Sequence, residues 1–127
     1  MGLDNYAARH PKGGLTEEDE RAFQEANIDL CGGLESDGVV SFRGKWYAPL
    51  VSHVTGVSLY QEWIPPETIS EMAAALNRYT AEELAEIWDE VAPLPWEDSV
   101  HSDRETASLQ RFFAICAERG LGLIGWW

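Results

Sequence analysis

The side chains able to do chemistry collect in one stretch of this sequence. Between Arg78 and Arg104 there is no Lys or Arg, while Glu82, Glu83, Glu86, Asp89, Glu90, Glu97, Asp98 and Asp103 accumulate. Glu82, Glu86, Asp89 and Glu90 recur at intervals of three and four residues, which places them on one helix face, where like charges repel one another. A face that tolerates this repulsion can dock a basic partner or gather a cation; a solvated helix surface is the plain alternative. Calcium requires a loop that wraps its oxygens around the ion, and no D-x-D-x-D-G loop is present. Two carboxylates can also share acid–base work, but one must be held towards neutral pH by a pocket, of which the sequence gives no sign. His101, two residues from Asp103, is the one imidazole with carboxylates and an aromatic ring, Trp96, close by in sequence. It has no second His or activated nucleophile beside it. Ser102 lies outside any G-x-S-x-G elbow, and no Gly-rich phosphate loop links a strand to a helix. No catalytic, cofactor-binding or metal-ligating residue is therefore assigned. The candidate residues for contact with a protein partner are Glu82, Glu86, Asp89, Glu90, Trp96, Glu97 and Asp98, with a small-ligand or enzyme pocket near His101 as the rival reading.

Composition narrows the partners. The chain has 127 residues, 45% of them apolar, with six Trp and a formal charge of −13. Its length suits one domain with a single core. Such a surface repels phosphate backbones and anionic lipid heads, so direct nucleic-acid or membrane binding is not expected; a basic-surfaced protein partner is permitted. Colloidal solubility alone also accounts for an acidic surface. Cys31 and Cys116 form no C-x-x-C motif and read as small core residues carrying reduced thiols. No apolar run reaches membrane-spanning length and the first residues lack a signal-peptide core, so the protein is read as cytoplasmic.

The elements that position the acidic stretch are legible in apolar spacing. Ile69, Met72, Ala73 and Leu76 fall at i, i+3, i+4 and i+7, and Leu84, Ile87, Trp88 and Val91 repeat that quartet one helix later. Pro65-Pro66 suits a first helical turn, Thr80-Ala-Glu-Glu83 is a capping box, and Pro93 and Pro95 stop the second helix. Leu109, Phe112, Phe113 and Cys116 form a further quartet behind a second capping box, Ser102-Asp-Arg-Glu105, and Gly120 ends that helix. Tyr47, Leu50, Val51 and Val54 predict a helix up to Gly56 with Pro49 in its first turn; a hairpin strand at Trp46-Tyr47 is the alternative. Thr16 and the acids after it open a helix that runs past Phe23, Ala26 and Leu30 to Gly32-Gly33. Val39–Phe42 and Leu121–Trp127 read as strands, the second laid beside the first, with one of Trp126 and Trp127 the more exposed. Residues 1–14 are polar and non-periodic and read as a mobile arm, unless something ties it down, ahead of a single globular domain, 15–127. The expected class is α+β, with four to five amphipathic helices packed on a small sheet.

The order Gly44-Lys-Trp-Tyr-Ala-Pro-Leu-Val-Ser-His-Val-Thr-Gly56, then Trp63-Ile-Pro-Pro-Glu67, Thr80-Ala-Glu-Glu-Leu84, and Leu109 to Gly120 with a short apolar end resembles the YfbM-like family of small bacterial α+β proteins. Lys45 matches the family pattern, Tyr47 stands where Trp is usual, and Ala48 and Val51 stand where His is frequent. The family tends to open on an apolar strand, whereas residues 1–14 here are polar. The resemblance implies a fold and no established activity. With the acidic face, the expectation is an interaction protein that regulates or neutralises another bacterial or phage protein.

Overall fold

The structure, a computed structural model, describes residues 2–31, 34–36, 39–95 and 100–127. In chain order the elements are β1 (Asp4–Ala8), α1 (Glu17–Glu25), β2 (Leu34–Ser36), β3 (Val39–Phe42), α2 (Gly44–Thr55), β4 (Trp63–Ile64), α3 (Pro66–Leu76), α4 (Ala81–Val91), α5 (Asp103–Arg119) and β5 (Gly122–Trp126). The strands form one antiparallel sheet of order β2-β3-β1-β5-β4. Its core side is lined by Phe42, Ala7, Leu123 and Ile64, and α1, α2 and α3 lie against β3, β1 and β5. The class is α+β, as the spacing predicts.

The helical quartets meet in a single core. Ile69, Met72, Ala73 and Leu76 of α3, Leu84 and Trp88 of α4, and Leu109, Phe112, Phe113 and Cys116 of α5 are all buried in it, with Tyr47, Leu50 and Val51 of α2. Ile87, Val91 and Val54 pack at its margin. The Thr80–Glu83 capping box forms as read, and Gly56 and Gly120 take the left-handed conformation that ends α2 and α5.

Four local expectations are corrected. Residues 2–14 are not a loose arm: Asp4–Ala8 form β1, the central strand, with Asn5, Ala7 and Ala8 and the preceding Leu3 buried and Asn5 Nδ2 donating to the Leu59 carbonyl at 3.1 Å. A strand that buries Asn and Ala carries little apolar alternation, and tertiary pairing overrides its weak local preference. For the same reason β5 does not lie beside β3, because β1 is inserted between them. Helix α1 stops at Glu25, well before the expected end, and Asn27 at φ 52 turns the chain; Leu30 is buried but not helical, and Gly32-Gly33 lie outside the described residues. Helix α2 begins at Gly44, so Pro49 sits inside it and not in its first turn, leaving the Lys45 carbonyl without its helical donor.

The cysteines divide. Cys116 is buried as expected, but Cys31 is exposed on the segment after α1. Burial pushes the Cys116 thiol well above the usual thiol range, with the nearby Asp19 charge adding to the shift. Under native conditions an alkylating reagent is expected to modify Cys31 alone, and both thiols after denaturation. Mass spectrometry of the native adduct checks this, and labelling of Cys116 in the folded protein would contradict the packing described.

Candidate docking groove

Helix α4 turns its sides to different environments. Leu84 and Trp88 face the core and Ala85 is buried at the edge of the groove described below, while Glu82, Glu86 and Glu90 are exposed. Glu83 is occupied in the cap, its Oε1 accepting from Thr80 N at 3.0 Å. Asp89 is not part of the free face: its Oδ1 accepts the His101 backbone N–H at 2.8 Å. That bond fastens the segment ahead of α5 alongside α4.

His101 completes the fastening. The residue is only 6% exposed, and its ring lies parallel on the Trp88 indole, with centroids 3.8 Å apart at 8°, while Trp46 meets it edge-on at 5.6 Å. His101 Nε2 lies 2.7 Å from the Ala92 carbonyl, a contact that requires that nitrogen to carry the hydrogen. The imidazole therefore holds the exit of α4 to the entrance of α5. Ser102 accepts from Arg104 N at 3.1 Å and caps α5.

The second expected capping box does not close. The Glu105 side chain turns inward instead, its Oε2 accepting from the Tyr47 hydroxyl at 2.8 Å and from Trp46 Nε1 at 3.3 Å. Tyr47 in turn accepts from Cys31 N at 2.7 Å. Burial, with the Glu105 carboxylate adding to it, keeps the buried Tyr47 hydroxyl protonated far above its ordinary range, against the opposing pull of the Cys31 N–H. A buried tyrosine gives Glu105 a stronger partner than the exposed end of a helix, and sequence spacing alone does not reveal it.

Between α4 and this fastened segment runs a shallow groove of about 390 Å³, lined by Glu82, Ala85, Glu86 and Asp89 on one side and Val100, His101, Ser102 and Asp103 on the other. Val100 is 72% exposed there. The acidic face and His101, two separate sequence signals, thus converge on one surface: four carboxylates around apolar patches from Ala85 and Val100. Trp96, Glu97 and Asp98, expected at its edge, lie outside the described residues.

Among the described residues no group of three His, Cys, Asp or Glu is arranged to hold a metal ion, and no helix is long and apolar enough to cross a membrane. The groove's chemistry is attraction for positive charge combined with a small apolar contact. Compared with models of known protein families, with curated proteins and with solved structures, this chain finds no match.

Proposed function

We propose that the protein binds a Lys- or Arg-bearing protein through the groove between α4 and residues 100–103, and that it regulates or neutralises that partner. The observation that carries this reading is the placement of Glu82, Glu86, Asp89 and Asp103 around the exposed Val100, in a stretch without Lys or Arg from 79 to 103. Apolar contact with charge around it is how protein interfaces combine affinity with steering. What supports binding over acid–base chemistry at His101 is the state of the ring: stacked, buried and bonded through Nε2 to a main-chain carbonyl. The resemblance to the YfbM-like family implies no activity, so the reading rests on the groove.

The structure also chooses the variants. Reversing Asp89 would break the bond to His101 N, so the test belongs at Glu82 and Glu86, which are exposed and make no side-chain hydrogen bond or ion pair among the described residues. Glu82→Lys with Glu86→Lys should slow association with the partner, isolated by affinity capture, by about tenfold at low ionic strength and flatten its salt dependence. The melting temperature should hardly move, because neither side chain is packed. An association rate unchanged at low salt would leave the acidic face as solvated surface.

A further inference from the structure

Away from the α4 groove, the end of β5 and the residue after it carry two strongly exposed aromatic side chains. Trp126 is 70% exposed and Trp127 50%, where the alternation of a strand predicts that only one would face solvent. Trp126 is the last residue of β5, and Trp127 lies beyond the strand, free of its alternation. Both line a cleft of about 430 Å³ with Pro11, Glu62, Ile124 and Gly125, within the size range of small-ligand sites.

The cleft is built by the backbone. Gly125 N donates to the Glu62 carbonyl at 3.2 Å. A Cβ at Gly125 would run into the Gln61 carbonyl oxygen, so only glycine lets the segment before β4 lie across β5 and set Glu62 beside the tryptophans. Tyr60, itself exposed, meets Trp127 edge-on at 5.7 Å and steadies it at the rim. Glu62 makes no ion pair among the described residues, and Lys12, next to Pro11 in sequence, is not part of the lining.

Two indoles and one unpaired carboxylate attract a cation, since the indole face is negative and the whole chain carries −13. The rest of the lining, Pro11, Ile124 and Gly125, offers few acceptors. A primary ammonium is a compact, strongly hydrated charge, and contact with the indoles takes away part of its water without replacing the bonds of its three N–H donors. A trimethylammonium has no N–H to lose. We infer that the Pro11–Glu62–Trp126–Trp127 cleft is a binding site for a trimethylammonium group, distinct from the α4 groove and independent of its function.

Titration of the full chain with choline, followed by the indole N–H resonances, tests this. Choline should shift the signals of Trp126 and Trp127, assigned through Trp126→Ala and Trp127→Ala, and either variant or Glu62→Gln should weaken binding by about fivefold or more. The uncharged isostere 3,3-dimethylbutan-1-ol should bind at least about tenfold more weakly than choline. A peptide containing trimethyllysine presents the same head group from a protein source; binding of either ligand with that charge selectivity supports the site, and the tighter one assigns the source. Equal binding of the isostere, tighter binding of methylguanidinium than of tetramethylammonium, or no shift of either indole with both choline at tens of millimolar and the trimethyllysine peptide would overturn it.

Discussion

Replacing Phe112 with Ala should destabilise the protein by about 3–5 kcal/mol, the range for emptying a buried aromatic site. Phe112 is 1% exposed, and its ring centroid lies 4.9 Å from that of Phe23 and 4.9 Å from that of Phe42. One side chain of α5 therefore joins α1 to β3. Truncation removes its own transfer free energy and leaves a cavity that three elements would have to move together to close. The loss is a large fraction of the stability of an ordinary domain. Denaturant unfolding should show a lower midpoint with an unchanged slope, and an unchanged midpoint would show that α5 packs elsewhere.

Asp19→Ala is the second large effect, and it has a pH signature. The Asp19 carboxylate is 0% exposed and is held by Arg9 through two bonds of 2.7 Å, by Arg119 Nε at 2.7 Å and by Thr16 N at 3.0 Å. These contacts tie the end of β1, the start of α1 and the end of α5 to one charge. Burial alone would raise its pKa; the bonds from Arg9, Thr16 and Arg119 outweigh burial and hold it well below the usual carboxylate range. The variant should lose about 3 kcal/mol, the lower end for a broken buried pair, because Arg9 and Arg119 are 39% and 29% exposed and regain water.

The folded pKa lies below the unfolded one, so this stabilisation is complete above the unfolded value of about 4 and disappears as pH falls towards the folded value. Stability curves of wild type and variant should run parallel from neutral pH down to about 5 and then converge. Curves that stay parallel into strong acid would show that Asp19 contributes packing and not charge.

Elements set by local spacing were legible in the sequence; elements set by distant partners were not. Helices α3, α4 and α5 show their buried faces in the order of their own residues, because helical period and caps are written within a few positions. The burial of β1 follows from what covers it, and Asn5, Ala7 and Ala8 advertise no strand on their own. The acidic face of α4 was likewise legible as charge spacing. The segment it pairs with was not, since the Asp89–His101 bond and the Trp88 stack are tertiary facts. Glu105 shows the limit most directly: its position in a capping box is local, and the Tyr47 hydroxyl that claims it comes from another helix.

The central place of β1 sets the order in which the molecule can assemble. Asp4 pairs with Trp126 and Ala8 with Gly122, so the middle of the sheet closes only when nearly the whole intervening chain has been gathered. Contacts so far apart in sequence make folding slow compared with helix formation, and α3, α4 and α5 can pair while β1 still lacks one neighbour. Until β5 arrives, that bare edge is a template for another chain. A net charge of −13 opposes the approach of two such half-assembled copies edge to edge.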